Sequence, residues 1–262
     1  MDVKGPGYVT VPFPRVRQPI VDALRWSRRS TSVMHALVEF DVTAARAGVR
    51  EFRRKTGEPL SFTAFLAFCL ARAVDEDRTV QAYRRRGRLV IFDDVDLSIL
   101  VERDVAEQGK APIYPHVVKA ANRKSPREIQ AEIGTARDEE TARMARQTTR
   151  YWHLPRFVRS SLWRLWLGSP YWRKKLTGTV VLSAVGMFGQ GSGWGIPVSS
   201  YTLSVVVGGL ANKPAAVDGQ VAVRQFLSVT VSFDHAIVDG APAARFIQRF
   251  REFVESGAGL AV

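Results

Sequence analysis

Residues 229–246 read VTVSFDHAIVDGAPAARF, and this stretch decides the fold. Apolar and polar residues alternate along its first part, which predicts a half-buried strand. Asp239 and Gly240 then mark a loop, and the apolar spacing over 241–255 predicts an amphipathic helix. His235 stands at the end of the strand, where its side chain can project into a cleft. The structural alternative is a histidine held in a turn, with Asp239 as the helix N-cap.

Further strands are predicted upstream of this stretch from β-branched and alternating apolar residues. They cover His35–Asp41, Thr179–Leu182 and Tyr201–Gly208, and a hairpin is expected from Leu89–Phe92 and Val95–Glu102. The strand that enters the quoted stretch covers Phe226–Phe233. Residues 1–15 are rich in proline and glycine and predict an extended arm.

Helix boundaries are marked by capping residues. Asp41 or Thr43 is expected to cap a helix that runs to Lys55 and stops at Gly57, and Ser61 to cap the next one. Ser125, Pro126 and Glu128 form a capping box, which predicts a helix to about Gln147. A short helix over Arg17–Arg29 and a helical segment over Tyr151–Lys175 complete the set. Strands and helices mixed in this way predict one α+β domain over 1–262, a two-layer sandwich with a mixed β-sheet.

The composition is that of a soluble globular protein. The chain has 262 residues, of which 46% are hydrophobic and 24% charged, and this excludes a disordered, collagen-like or disulfide-rich chain. Cys69 is the one cysteine and is expected in the core, since it lies on an apolar helix face. With no intrachain disulfide and no secretory signal pattern at the start, a cytoplasmic protein is expected.

The charge is strongly basic and unevenly distributed. Net charge is +13, and the span from Thr141 to Val217 has ten Lys or Arg but no Asp or Glu. Nine of these cations precede Thr177, and four tryptophans lie beside them (Trp152, Trp163, Trp166 and Trp172). No charged residue occurs between Lys175 and Lys213, but the glycines and hydroxyls there argue against a membrane span.

The stretch around His235 resembles the C-terminal signature of the dihydrolipoamide acyltransferase component of 2-oxoacid dehydrogenase complexes. That family shares its fold with chloramphenicol acetyltransferase. Other segments resemble the family as well: Val180–Gly189, Val217–Val221, Phe62–Leu66, Asp93–Val101 and Val38–Thr43. The resemblance extends over about 15–140 and 177–256, which is most of the chain.

The resemblance implies acyl transfer between coenzyme A and a second nucleophile. His235 would act as the general base on the attacking thiol or hydroxyl. Ser183 corresponds to the family position whose hydroxyl stabilises the oxyanion, and no acyl-serine is implied. Asp239 would be the carboxylate of the motif, with a mainly structural role. The family works as a homotrimer with sites between subunits, so His235 and Ser183 would come from neighbouring chains, and trimers can build larger assemblies.

Two features depart from the family pattern. Ala236 stands where the family usually has arginine, and Ile20–Leu24 stands where paired arginines are usual. No lipoyl domain precedes the domain in this sequence, so no lipoyl group is expected on this chain. The acyl acceptor is then either a lipoyl carrier supplied in trans or a small-molecule hydroxyl or amine. A catalytically inactive trimeric scaffold or membrane-surface protein that keeps the fold is the competing hypothesis.

The basic tryptophan-rich segment 141–177 has no clear counterpart in the family. Three interpretations stay open: a platform for an anionic membrane surface, a mouth that attracts the phosphates of coenzyme A, or a helix pair packed on the domain with solvated arginines. No specific nucleic-acid partner is expected, because the sequence has no such motif. No metal is expected either, because His35, His116 and His153 lack ligand spacing.

Overall fold

A six-stranded mixed sheet is the framework of the fold. The computed structural model describes residues 3–5, 7–10, 21–22, 24–25, 27, 31–101, 114–135, 156–184 and 191–260. The strands of the sheet are β3 (Val33–Asp41), β6 (Leu97–Val101), β7 (Tyr114–Val118), β8 (Val180–Ala184), β9 (Leu203–Val217) and β10 (Gln220–Asp234). Their order across the sheet is β3-β10-β9-β8-β6-β7. The sheet is parallel in the middle, over β9-β8-β6, and antiparallel on both sides.

Helices accompany this sheet, and those that contribute to the hydrophobic core cover one of its faces. The helices are α1 (Thr43–Thr56), α2 (Phe62–Glu76), α3 (the helical residues 126–135), α4 (Arg156–Leu167), α5 (Pro170–Thr177) and α6 (Gly240–Glu255). Residues 21–22, 24–25 and 27 are also helical, in agreement with the helix predicted over Arg17–Arg29. The helices and the mixed sheet confirm the α+β fold class.

The core forms where alternate strand residues meet α2 and α6. Leu182, Val205 and Val231 belong to one buried cluster with the helix residues Phe65 and Phe250. Phe250 meets Phe40 edge-on, with ring centroids 5.4 Å apart, and Phe246 meets Phe233 in the same way at 5.8 Å. The apolar face predicted for α6 is therefore the face that packs on the sheet. Cys69 also lies in this cluster, as predicted.

The opposite face of the sheet is rich in hydroxyl groups. Because side chains alternate along a strand, the residues between the core positions point away from the helices. Ser98, Ser183, Ser204 and Thr230 occupy such positions on four adjacent strands. Three of these side chains are buried, although they lie outside the hydrophobic core.

Several helix ends follow the capping signals. The Ser61 hydroxyl accepts a hydrogen bond from the Ala64 N–H at 3.1 Å, and Gly57 ends α1 in the left-handed conformation. The Ser125 capping box is confirmed by a bond of 2.7 Å from the Ser125 N–H to the Glu128 carboxylate. The helix that follows is described to residue 135, so its predicted extent to Gln147 lies outside the described residues.

The start of α1 differs from the prediction by one residue. Val42 is the N-cap residue, and its apolar side chain makes no capping hydrogen bond. Instead the Asp41 carboxylate accepts from the Thr43 N–H at 3.0 Å and from its hydroxyl at 2.6 Å. The residue before the N-cap, Asp41, thus supplies the carboxylate that accepts hydrogen bonds from the first turn of α1.

The predicted hairpin between Leu89–Phe92 and Val95–Glu102 is wrong. β5 (Arg88–Val90) pairs instead with β4 (Tyr83–Arg85), through a turn in which Arg86 and Gly87 both have positive φ. Such a turn closes a two-residue hairpin, so β5 pairs with the strand before it and not with the strand after it. β6, by contrast, pairs with β7 and β8 inside the main sheet.

The N-terminal arm is also corrected in part. β1 (Val3–Gly5) and β2 (Tyr8–Thr10) pair with each other, so this part of the arm is a small hairpin. The rest of the predicted arm, residues 11–15, lies outside the described residues.

The β9–β10 hairpin is longer than predicted and extends past the sheet. In the described part of the chain, β8 pairs only with residues Leu203–Val207 of β9, and β3 only with Phe226–Asp234 of β10. The outer part, closed by Asp218 and Gly219, is therefore a two-stranded ribbon.

Candidate active site

His235 lies immediately after β10, held there by its backbone. Its N–H donates to the Ser32 carbonyl at 2.7 Å. The buried Asp234 carboxylate accepts from the N–H groups of Ser32 at 3.1 Å and Ala236 at 3.2 Å, which fixes the turn. The imidazole itself is 54% exposed. The turn thus presents a half-exposed ring at the end of the strand, as predicted, while its projection into a cleft stays a prediction.

Asp239 follows one turn later and stays in solvent. It is the N-cap residue of α6 by position, but its side chain makes no capping hydrogen bond. The carboxylate is 83% exposed, and its Oδ1 lies 3.8 Å from His235 Nδ1. This distance exceeds that of a hydrogen bond. The position of Asp239 therefore agrees with the alternative that makes it the helix N-cap, while its carboxylate lies beside the imidazole.

Ser183 lies in β8, on the hydroxyl-rich face of the sheet. In the register, Ser183 is opposite Leu100 of β6 on one side and opposite Val206 of β9 on the other. The three side chains line one cavity of about 380 Å³. The predicted oxyanion donor is therefore at the wall of a cavity of ligand size.

The structure does not bring His235 and Ser183 together within one chain. Ser183 is in register with Val206, which is opposite Thr230 on β10. Two strand spacings are about 9.5 Å, and the five residues from Thr230 to His235 add about 16.5 Å along the strand. The two predicted catalytic residues are thus about 19 Å apart across the sheet.

A loop forms the cover of the cavity. Residues 195–201 line it, and the preceding part of the loop is fixed to the sheet. The Gly193 carbonyl accepts from the Gly209 N–H at 2.8 Å, and the Trp194 indole N–H donates to the Val38 carbonyl at 3.1 Å. A Cβ on Gly208 would lie 2.1 Å from the Gly193 carbonyl oxygen, so the close approach requires glycine there.

Several cavity residues were missed by sequence reasoning. Tyr201 is one, and its hydroxyl donates to the Thr177 carbonyl at 2.7 Å. Burial raises the pKa of this phenol, so it stays neutral. Leu24 and Ser98 are others. They come from separate parts of the chain, and no local pattern links them. Of the glycine-rich stretch 189–195, the structure describes residue 191 onward, and Gly195 is the residue of that part that lines the cavity.

No metal centre was found in the described part of the chain, where no cluster of three or more His, Cys, Asp or Glu could hold an ion. Likewise, none of the described helices is long and apolar enough to cross a bilayer.

The described part of the basic segment forms α4 and α5, and its side chains have two kinds of surroundings. The Arg173 guanidinium lies 3.9 Å above the Tyr83 ring, and Lys174 Nζ donates to the Asp94 carbonyl at 3.0 Å. These two side chains fasten α5 to the domain, which fits the interpretation as a packed helix. Trp172, in contrast, is 47% exposed, and Leu165 is 70% exposed. Trp152 and the Trp163 side chain lie outside the described residues.

Comparison with known families decides where this chain belongs. The model of the 2-oxoacid dehydrogenases acyltransferase (catalytic domain) family matches residues 5–148 and 174–262. The chain belongs to this acyltransferase family. The match leaves out residues 149–173, which hold α4 and the start of α5.

The names of the curated relatives place them in different dehydrogenase complexes. The lipoamide acyltransferase component of the branched-chain alpha-keto acid dehydrogenase complex of Bacillus subtilis is 23% identical over 254 residues, which are 94% of this chain and 52% of that protein. The dihydrolipoyllysine-residue succinyltransferase component of the 2-oxoglutarate dehydrogenase complex of Bartonella vinsonii is 27% identical over 248 residues, 92% of this chain and 52% of that protein. This chain thus spans about half the length of the curated relatives it matches.

Solved structures of the acyltransferase family share the fold. The cubic core of a pyruvate dehydrogenase multienzyme complex has a TM-score of 0.72 at 18% identity and covers 97% of this chain and 93% of its own. Dihydrolipoamide acetyltransferase of Azotobacter vinelandii has a TM-score of 0.73 at 19% identity, with the same coverage. That structure was used to investigate the role of three residues in the catalytic mechanism. They are a serine, a histidine, and an asparagine four residues after the histidine.

Proposed function

We propose that this chain is the catalytic part of a coenzyme A-dependent acyltransferase. It passes an acyl group between coenzyme A and the thiol of a dihydrolipoyl group; a small-molecule hydroxyl or amine is the alternative acceptor. The observation that carries the proposal is Ser183, which lies at the wall of a cavity in a chain of the acyltransferase family. Residues 1–262 act as one catalytic domain in the cytoplasm, with the segment 141–177 inside it.

The reaction follows from the two side chains. The His235 imidazole removes the proton from the attacking thiol, since an imidazole can accept and return a proton near neutral pH. The thiolate adds to the thioester carbonyl, and the Ser183 hydroxyl donates a hydrogen bond to the oxyanion. As the tetrahedral species collapses, the carbon–sulfur bond to the leaving thiolate breaks, and the imidazolium returns the proton to that sulfur. Asp239 stands beside the imidazolium that forms in between.

A site of this kind needs two chains. The separation of about 19 Å between His235 and Ser183 is too large for one substrate carbonyl to meet both, so the histidine of one protomer serves the serine of the next. We therefore propose a homotrimer, from which larger assemblies can form. The β9–β10 ribbon supports this, because Val221 and Val223 on it are 82% and 73% exposed. A two-stranded ribbon with exposed apolar side chains is stabilised by packing on a neighbour.

The test is thiol release from acyl-CoA donors in the presence of dihydrolipoamide. Wild-type protein should release coenzyme A, and His235→Ala should abolish the release. His35→Ala is the matched control, since His35 lies on the sheet and bonds Ser232 at 2.8 Å. Acyl-dihydrolipoamide detected by mass spectrometry identifies the lipoyl acceptor, whereas a product on an alcohol or amine panel identifies a small-molecule acceptor. Equal release by wild type and His235→Ala would reject the proposal, and no release with any donor would favour the inactive scaffold.

A second candidate function is attachment to an anionic membrane surface. The segment outside the family match exposes Leu165, Tyr171 and Trp172, and Lys175 Nζ lies 5.3 Å from the Trp172 ring centroid. Next to it, the turn of the β4–β5 hairpin exposes four arginines, of which Arg85 lies 5.6 Å from the Tyr171 ring centroid. Aromatic side chains set among cations suit the interface of an anionic bilayer.

Vesicle sedimentation tests this attachment. The protein should pellet with vesicles that contain an anionic phospholipid and stay in solution with neutral phosphatidylcholine vesicles. Trp172→Glu should reduce pelleting, whereas Ala44→Glu, which adds the same charge at an exposed position of α1, should leave it unchanged. Equal pelleting with both vesicle types would reject the electrostatic attachment.

A further inference from the structure

The cavity beside Ser183 has an aliphatic lining. Leu100 and Val206 flank Ser183 in the same row of the sheet, one on each neighbouring strand. Val181 lies two residues earlier on β8 and points to the same face. Ile196 and Val198 contribute from the covering loop, where they are 63% and 51% exposed. Among the described residues, those that line this cavity carry no charge.

We propose that this cavity binds the acyl group that is transferred, and that it selects an uncharged aliphatic acyl group over one that ends in a carboxylate. The inference rests on the proposed function, because it takes Ser183 as the oxyanion donor. A thioester whose carbonyl oxygen meets the Ser183 hydroxyl has its acyl carbons next to Leu100 or Val206, about 5 Å away across the sheet. The cavity volume of about 380 Å³ is at the small end of ligand pockets, which suits an acyl chain of a few carbons.

Three of the hydroxyl groups around the cavity form hydrogen bonds within the protein. The Ser199 and Ser204 hydroxyls bond each other, and Ser199 also accepts from the Tyr201 N–H at 3.1 Å. The Tyr201 hydroxyl donates to the Thr177 carbonyl at 2.7 Å. These groups orient the covering loop. Because these groups are already hydrogen-bonded within the protein, they offer a carboxylate little in place of the water it would lose.

The energetic consequence is a graded preference. Each buried methylene should raise kcat/KM about fourfold, since the gain from burial adds to transition-state binding. A terminal carboxylate has no cation to pair with among the described lining residues, so its burial costs free energy. We expect succinyl transfer to be slower than isobutyryl transfer by about 100-fold or more.

The first experiment measures kcat/KM for acetyl-, isobutyryl-, isovaleryl- and succinyl-CoA with dihydrolipoamide. The expected order rises from acetyl through isobutyryl to isovaleryl, with succinyl last. A succinyl value equal to or above the isobutyryl value would overturn the inference. So would values that do not change with chain length.

The second experiment adds a cation to the cavity. Val198→Arg should raise the ratio of succinyl to isobutyryl transfer about tenfold, since the new guanidinium pairs with the carboxylate. Leu89→Arg, which adds the same side chain on the β4–β5 hairpin away from the cavity, should leave the ratio unchanged. A ratio that both variants shift equally, or that neither shifts, contradicts the assignment of the cavity.

Binding separates this inference from the proposed function. Calorimetry with S-isobutyryl- and S-succinyl-dihydrolipoamide needs no turnover, and the wild type should bind the isobutyryl compound more tightly by about 100-fold. If no donor is turned over, the proposed function fails and calorimetry alone judges the cavity. If donors are turned over but the two compounds bind equally, the cavity assignment fails and the proposed function stands.

Discussion

Ser183 has its proposed role because the strand alternation directs its side chain away from the core. Removal of one oxyanion donor typically lowers kcat by about 100- to 1,000-fold. We expect that loss for Ser183→Ala, with KM little changed, because the hydrogen bond strengthens only in the transition state. Ser232→Ala is the control, since Ser232 is buried on the same face and bonds His35. A loss of less than tenfold in steady-state kinetics would contradict the role of Ser183.

Cys69 gives a second prediction at the scale of one residue. Burial raises the pKa of its thiol well above the usual range, so the thiolate is scarce even at pH 8. Native protein should therefore react with Ellman's reagent only as fast as it unfolds, whereas protein in concentrated urea should react at once. Rapid labelling of the native state would contradict the packing of α2. Because native Cys69 does not react with the thiol reagent, it adds no background to the assay of coenzyme A release.

At the scale of an element, the covering loop depends on a glycine pair in β9. Gly208→Ala places a Cβ against the backbone carbonyl of Gly193, and the loop has to move. We expect a loss of about 1–3 kcal/mol in the free energy of unfolding, as for overpacked sites. Gly134→Ala is the matched control. It lies in α3 with open space around it and should gain about 0.5–1 kcal/mol. Urea denaturation of both variants tests the opposite signs.

The elements also show what the sequence could predict. Ser61, Gly57 and the Ser125 capping box act within a few residues, so local patterns identified those helix ends. Strand pairing is not local. The segment that begins with Leu89 was assigned to the following strand, although the turn at Arg86 and Gly87 joins it to the preceding one.

The candidate site divides in the same way. His235 and Ser183 are predicted from the resemblance of the segments around them to the family signature. Their positions two strands apart, and a cavity whose walls come from Leu24, Ser98 and the covering loop, depend on the completed sheet. That information is held in contacts between distant parts of the chain, which a local pattern does not contain.

At the scale of the whole molecule, the separation of His235 and Ser183 predicts complementation. His235→Ala and Ser183→Ala are each inactive alone. When they are mixed, unfolded together and refolded, about one quarter of the sites in random trimers pair an intact histidine with an intact serine of the next protomer. Activity should therefore return to about a quarter of the wild-type value. No recovery, in a mixture shown by ultracentrifugation to be trimeric, would place both residues in one chain.

The strand order has a further consequence during protein synthesis. Among the described strands β3 pairs only with β10, and Asp41 lies opposite Phe226. The backbone hydrogen bonds between these two strands can therefore form only after residue 226 has been synthesised. At a translation rate of roughly 5–20 residues per second, this interval is about 10–40 s. Throughout it, the first long strand leaves the ribosome with both edges unpaired. A nascent chain of this protein is thus a natural client for a chaperone that binds extended segments.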